Sequence, residues 1–271
     1  MTGTHLNILV VGATGSIGKL VVAEAIREGH TVRALVRNQE RGRSLPPGIQ
    51  VEIGDLTSQQ TLVEAVSDMD AIVFTHGSDG GGKEAVEAVD YGGVRNVLRA
   101  LGGKKPRIAL MTAIGVTNRD GSYNRSREAH DWKRRAERLV RAGGYPYTIV
   151  RPGWFDYNKD SEHKLVFLQG DTRKAGNSSD GVIARRQLAQ VLVRSLTADE
   201  ALRKTFELVA IAGAAQEDLN SLFAQLDVDP QGALDGVRDT QNQPLEKEPE
   251  RVLDDLRSLS SDGSGLELRE Q

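Results

Sequence analysis

No cysteine occurs among the 271 residues, which excludes disulfides, thiolate catalysis and cysteine-ligated metal sites. Nor does any run approach the roughly 18 apolar residues that a membrane span needs. The start, Met1-Thr-Gly-Thr-His5, has no charged segment leading into a cleavable apolar one, so the cytoplasm is the expected location. Neither charge dominates: 35 basic and 38 acidic residues leave a formal net charge of −3, without the field that draws nucleic acid or an anionic membrane. The expected partner is therefore a small-molecule substrate, with no nucleic acid and no membrane. The histidines at 5, 30, 76, 130 and 163 lack metal-ligand spacing, and no Gly-x-Ser-x-Gly elbow occurs.

What is present begins at Asn7-Ile-Leu-Val-Val-Gly12-Ala-Thr-Gly15-Ser-Ile-Gly18-Lys-Leu-Val-Val. An apolar strand, Leu6 to Val11, runs into three glycines. A helix then follows, with Ile17, Leu20, Val21 and Ala25 on one face. Glycine at 12 permits a tight turn, at 15 lets backbone amides approach a diphosphate, and at 18 lets the helix pack close to the sheet. The unpaired amides and partial positive charge of the helix N-terminus face that anion. Gly12, Thr14, Gly15, Ser16, Ile17 and Gly18 are thus the candidate diphosphate-binding residues.

Strand-like and helix-like segments alternate through the first 150 residues, which predicts a parallel sheet with helices on both faces. Strands are expected at 6–11, 31–37, 50–53, 70–75, 106–112 and 146–150, and helices at 16–28, 57–67, 83–102 and 125–143. A polar loop over 158–181 surrounds the short apolar run 165–168. A helix near 183–196, a strand at 205–211 and a helix at 217–226 follow. Residues 241–249 read as a linker, 250–259 as a short amphipathic helix, and 260–271 as a disordered end. The basic run Lys133-Arg134-Arg135 reads as a solvated helix face, because acidic residues at 128, 131 and 137 interleave with it.

Together with the glycine turn, Asp131-Trp-Lys133-Arg-Arg-Ala-Glu137 and Tyr147-Thr-Ile-Val-Arg-Pro-Gly153 give the chain a family resemblance. It resembles the atypical short-chain dehydrogenase/reductases, in particular their NAD(P)-binding, NmrA-like branch. Gly54-Asp55-Leu56, Val89-Asp90-Tyr91 with Gly93 and Asn96, and Ile183-Ala-Arg185 match in the same order. The resemblance spans residues 6 to 211 and implies an α/β fold, a doubly wound parallel (Rossmann) sheet with a small C-terminal substrate region. Residues 1–152 would form the NAD(P)-binding core and 153–240 the substrate-region elements completing the same domain. Residues 241–271 would be a C-terminal helix and flexible tail. Oligomeric state is not readable from the residues, although relatives of this kind often pair through helices placed like 83–102 and 125–143, which leaves a homodimer open.

The cofactor follows from charge. NAD-selective folds place a carboxylate about 20 residues after the glycine turn to hold the ribose 2′-hydroxyl. Here the second strand ends Arg33-Ala-Leu-Val-Arg37-Asn38, so Arg37 is placed to pair with a 2′-phosphate, and NADP is expected ahead of NAD. Arg41 and Arg43 either assist or lie on the surface. The resemblance puts Asp55 and Leu56 beside the adenine, although Asp-Leu-Thr-Ser also reads as a turn or helix cap. Thr75, His76 and Gly77 end the fourth strand, beside the cofactor ribose.

Ordinary members of the superfamily reduce a carbonyl with a Ser or Thr, a Tyr, and a Lys four residues after the Tyr. Thr112 fits the first position, and Lys133, followed by Glu137, fits the lysine that holds the nicotinamide ribose. The residue four before Lys133 is Ala129, which cannot donate a proton. Tyr123 and Tyr157 reach the site only if their loops fold inward. Two readings follow. One is an NADPH-dependent oxidoreductase acting on a flat flavin- or quinone-type acceptor, with Pro152, Gly153, Trp154 and Phe155 as an apolar floor. The alternative is a non-catalytic NADP-binding redox sensor or regulatory protein. Nucleotide-sugar epimerisation is weaker, since it also uses the missing tyrosine.

Overall fold

The structure, a computed structural model, describes residues 4–78 and 81–261. Six strands form its parallel core: β1 (Asn7–Val11), β2 (Thr31–Val36), β3 (Gln50–Ile53), β4 (Ala71–Phe74), β5 (Arg107–Met111) and β6 (Tyr147–Pro152). They lie in the order 3-2-1-4-5-6, so the chain reverses its direction of winding between β1 and β4. Such a reversal opens a crevice at the strands' C-terminal ends, where α/β sheets bind ligands. Beyond β6 come β7 (Trp154–Phe155), β8 (Lys164–Leu168), β9 (Val182–Ile183) and β10 (Lys204–Ile211). β10 runs parallel to β6 and antiparallel to β8 and β9, and β9 pairs in parallel with β7.

Strand periodicity sorts the core into two layers. Ile8 and Val10 face one side with α1 (Gly18–Arg27), while Leu9 and Val11 face the other. Past β2 lies the single turn α2 (Gln39–Gly42). The segment after β4 is α3 (Lys83–Val86), one π turn (Glu87–Tyr91) and α4 (Gly92–Ala100). Then come α5 (Ser122–Arg127), α6 (Ala129–Ala142), α7 (Arg185–Ser195), α8 (Asn220–Ala224) and α9 (Glu250–Ser261). α1 and α7 cover the first face, whereas α4, α6 and α9 cover the second. Burying a Leu, Val or Phe in either layer is worth about 1.5–3 kcal/mol.

Several expected elements differ from those observed. The 57–67 helix is only a 3-10 turn, Gln59–Leu62, in which the Thr61 amide and hydroxyl both bond the Ser58 carbonyl three residues back. Leu62, Ala65 and Val66 are buried all the same. The 125–143 helix breaks at Glu128, whose φ of 57° is left-handed, separating α5 from α6. The 217–226 helix shortens to α8, and the 158–181 loop contains β8, anchored by β10. Ser260 belongs to α9 rather than to a disordered end, and 262–271 lie outside the described residues.

The largest departure concerns the face of α6. Arg134, Arg135, Arg138 and Arg141 are buried rather than solvated, and residues 241–249 are not a free linker. Chain segment 229–248 wraps α6 and presents acids to its arginines. Arg134 and Arg138 both bond Asp235, at 2.9 Å, while Arg135 and Arg138 share Glu248, at 2.6 and 2.9 Å. The acids that neutralise the basic run lie about a hundred residues away in sequence, where local interleaving cannot register them.

The pairing predicts a pH dependence. Burial alone would raise the Asp235 carboxyl, but hydrogen bonds and charge from Arg138, then Arg134, outweigh it and hold the group at about 2. A carboxyl lowered in the folded state contributes stability above its unfolded value, here about 2 kcal/mol, and loses it as pH falls from about 4 to about 2. Asp235→Asn should flatten urea-measured stability across that acid window. An unchanged slope counts against the pairing.

Candidate cofactor and active site

The glycine turn is open toward the crevice. Gly15 and Ser16 at its crest are exposed, while Ile17 and Gly18 are buried against the sheet. Gly12 has φ +89°, and a Cβ there would lie 2.6 Å from the His76 amide nitrogen, so the turn nests against the end of β4. A Cβ on Gly18 would fall 2.0 Å from the Gly12 carbonyl oxygen. At Gly15 it would meet only that same oxygen, at 3.2 Å. Thr14 is half-buried in the same turn.

Around this turn stand the ends of β2, β3 and β4. Arg37 is exposed just past β2. Arg33, at the strand's other end, is committed elsewhere, donating to the carbonyls of Glu64, Ala65 and Ser67. Asp55 Oδ1 accepts from the Thr57 amide at 2.9 Å and the Thr57 hydroxyl at 2.8 Å, a turn geometry that lowers its carboxyl value, with a smaller pull from Arg37. Leu56 offers its carbonyl to Asn96 Nδ2 at 2.7 Å. The Thr75 hydroxyl donates to the Val11 carbonyl, tying β4 to β1. Gly77 continues this edge, its open α-carbon facing Asp90.

His76 has one ring nitrogen, Nε2, 3.0 Å from the Val89 carbonyl. Its buried Nδ1 has no partner among the described residues. Burial, reinforced by Lys133 and opposed by Asp90, moves the imidazole down to about 4, so it is uncharged at neutral pH. An orphaned nitrogen beside an open glycine cradle suits a bound polar group, and the residues present fit a nicotinamide dinucleotide.

At the other end of the crevice the expected pair is split between two networks. The Thr112 hydroxyl donates to Glu137 Oε1 at 2.7 Å. Lys133 pairs not with Glu137 but with Asp90 in the π turn, Nζ to Oδ1 3.2 Å. Ala129 is buried. Pro152 closes β6, its carbonyl accepting from Ile114, and Gly153 follows where a Cβ would strike the Gly181 oxygen at 2.5 Å. Trp154 and Tyr157 are 40% and 66% exposed and meet edge to face at 6.4 Å. Arg185 lies 5.0 Å from the Phe155 ring, so Phe155 is capped while Trp154 stays open.

A family model for NAD(P)H-binding proteins matches residues 12–199, a span running from the first glycine through α7. The chain belongs to this NAD(P)H-binding family. Its relatives fall in the atypical short-chain dehydrogenase/reductase group. Sanguinarine reductase of Eschscholzia californica is 26% identical over 266 residues, spanning 82% of this chain and 96% of the relative. An uncharacterized chloroplastic protein of Arabidopsis thaliana is 30% identical, over 83% of this chain and 77% of its own. A solved structure from Bacillus halodurans, assigned to the NAD-dependent epimerase/dehydratases, superposes with a TM-score of 0.67 at 25% identity, covering 82% of this chain and all of that one.

In this NAD(P)H-binding chain, local sequence patterns do not reveal the buried charges behind Thr112. Arg151, fully buried in β6, reaches Glu137 at 2.6 Å, both oxygens of Asp239 at 2.7 Å and Glu207 at 3.3 Å. Burial alone would raise Glu137, but Arg151 and Arg141, with the Thr112 hydroxyl, hold it below the usual carboxylate range. Asp171 carries this network to the loop after β5. Its amide donates to Glu207, and its carboxylate accepts from the amides of Gly115 and Thr117, at 2.6 and 2.7 Å. The only local sign is a single charge inside each of two strand-like segments, Arg151 and Glu207. No helix among the described residues is long and apolar enough to cross a membrane, and no cluster there of three or more His, Asp or Glu could hold a metal.

Proposed function

We propose that the chain is an NADPH-dependent oxidoreductase that reduces a flat acceptor of the flavin or quinone class without a catalytic tyrosine. The observation that carries this reading is the disposition of its five tyrosines. The hydroxyls of Tyr91, Tyr145 and Tyr147 are turned to Asp255, the Leu98 carbonyl and Asp229. Tyr123 packs its exposed ring on His130, and Tyr157 packs on Trp154. Ala129 occupies the position where a proton donor would stand.

An acceptor whose reduced form takes its proton from water removes the need for that donor. When bound, NADPH supplies a hydride, and the acceptor gains two electrons with it. Lys133 holds the nicotinamide ribose, Gly12 to Gly18 hold the diphosphate, and Arg37 holds the 2′-phosphate. Trp154 and Tyr157 offer the aromatic surface against which a flat acceptor stacks. The relationship to sanguinarine reductase over 96% of that protein's length supports a reductase role. One observation favours the second reading, an NADP-binding regulator without turnover: Thr112 is buried and its hydroxyl hydrogen is given to Glu137 at 2.7 Å.

The experiment mixes the chain with NADPH and a panel of flavins, quinones and aldehydes, and follows nicotinamide absorbance. Consumption with flavins or quinones but not aldehydes is expected. Tight binding with no consumption would favour the regulator. In parallel, Arg37→Ala should weaken NADPH about 10- to 100-fold, the worth of one charge-assisted pairing, and leave NADH unchanged. Equal affinities before and after the substitution would remove the case for NADP.

A further inference from the structure

Apart from His130, Lys133 is the only residue of α6 that is not buried, and its side chain, 19% exposed, runs to a carboxylate only 4% exposed. That carboxylate, Asp90, is built in rather than incidental. It accepts the Ser78 amide at 3.2 Å and the Ser78 hydroxyl at 2.9 Å, besides the Lys133 ammonium at 3.2 Å. Ser78 follows Thr75-His76-Gly77 on the cofactor edge of β4, so one buried anion joins that edge to Lys133.

Asp90 lies in a π turn, a one-turn widening of a helix that recurs at functional sites. Both ends of the turn are tied to α9. Tyr91 donates to Asp255 Oδ2 at 2.7 Å, and Asp255 also holds Arg99 at 2.8 Å. At the other end, Arg251 bonds Glu87 at 2.7 Å. Asp90 and Tyr91 are neighbours, yet one serves the crevice and the other the C-terminal helix.

We propose that Asp90 is a positioning residue for Lys133, and that α9 sets Asp90 by clamping the π turn at Glu87 and Tyr91. The inference rests on the reading that Lys133 holds the nicotinamide ribose. A lysine side chain has many rotamers, so an unpaired one would sample many positions over the crevice. One N–H to Asp90 fixes the ammonium and leaves two for ribose hydroxyls. The segment beyond β10 thereby gains a role in cofactor geometry, exerted some way from the cofactor itself.

The test titrates the full chain with NADPH and, separately, with adenosine 2′,5′-bisphosphate, which keeps the adenine end and lacks the nicotinamide ribose. Asp90→Asn, which retains an acceptor for Ser78, should weaken NADPH about 10-fold, the worth of orienting one charged donor, and leave the bisphosphate unchanged. In a Lys133→Met background the same substitution should cost nothing further, and Tyr91→Phe should give a smaller loss of the same kind. If Asp90→Asn weakens both ligands equally, or weakens NADPH by the same factor with and without Lys133, Asp90 is only a structural tie and the inference falls alone. If Lys133→Met binds NADPH as tightly as the native chain, the ribose reading falls and takes the inference with it.

Discussion

Gly18→Ala is expected to abolish measurable NADPH binding and to lower the thermal stability of the chain. A Cβ at this position falls 2.0 Å from the Gly12 carbonyl oxygen and 2.7 Å from its carbon, and both are backbone atoms that no side-chain rotation can move. Relief requires α1 to withdraw from the turn, which carries the helix N-terminus away from the diphosphate. Gly15→Ala separates ligand from fold. Its Cβ meets only one protein oxygen, at 3.2 Å, on an exposed crest. Its melting temperature should stay within about 3 °C of the native value, a change of about 1 kcal/mol, while NADPH weakens at least about 30-fold as the methyl enters the space of the diphosphate. Calorimetric titration and thermal melting of the two variants decide the matter. Native affinity in Gly15→Ala would mean that the turn does not hold the nucleotide.

Arg151→Met should be the most destabilising single change outside the apolar core. The guanidinium is fully buried and makes five bonds to Glu137, Asp239 and Glu207. Removing it leaves the buried Asp239 carboxylate without its guanidinium and Glu137 with Arg141 alone, beside a Glu207 carboxyl that burial pushes up to about 8, at a cost of about 3–5 kcal/mol, or a fall in melting temperature of about 10 °C. Arg151→Lys should recover little, because a point-like ammonium cannot bond two carboxylates in a plane at once. Adding Asp239→Asn to Arg151→Met should restore part of the loss by removing the anion left without a cation partner. Urea unfolding reads all three, and a loss below about 1 kcal/mol for Arg151→Met would show that the charges find water or other partners.

How far the sequence could be read depends on the range of the interaction concerned. The Rossmann sheet was legible because its signals are local: Ile8 and Val10 against Leu9 and Val11, the three glycines, and the regular return of apolar strands. Trp132, Ala136, Leu139 and Val140 recur at helical spacing and are all buried, a local signal of the same kind. The break at Glu128 and the loss of the 57–67 helix were not legible. Each is a matter of local backbone geometry, a left-handed angle at Glu128 and a bond from Thr61 to the carbonyl three residues back, which hydrophobic spacing does not record.

The candidate site divides in the same way. Gly12 to Gly18 and the lack of a carboxylate in the strand end Arg33 to Asn38 follow from residues within one βαβ unit. Lys133 could be named from its spacing to Ala129 and Glu137. Its actual partner, Asp90, lies 43 positions earlier, while Glu137 is claimed by Arg151.

By itself, then, the sequence determined the parallel sheet, the glycine cradle and the absence of a tyrosine four residues before Lys133, because each is written in neighbouring residues. Only the tertiary structure decided the fate of the charges. Arg134, Arg135, Arg138 and Arg141 look solvated on a helical wheel and become interior because segment 229–248 brings anions to them. A charge is buried or solvated according to what lies opposite it in space, and chain separation carries no record of that distance.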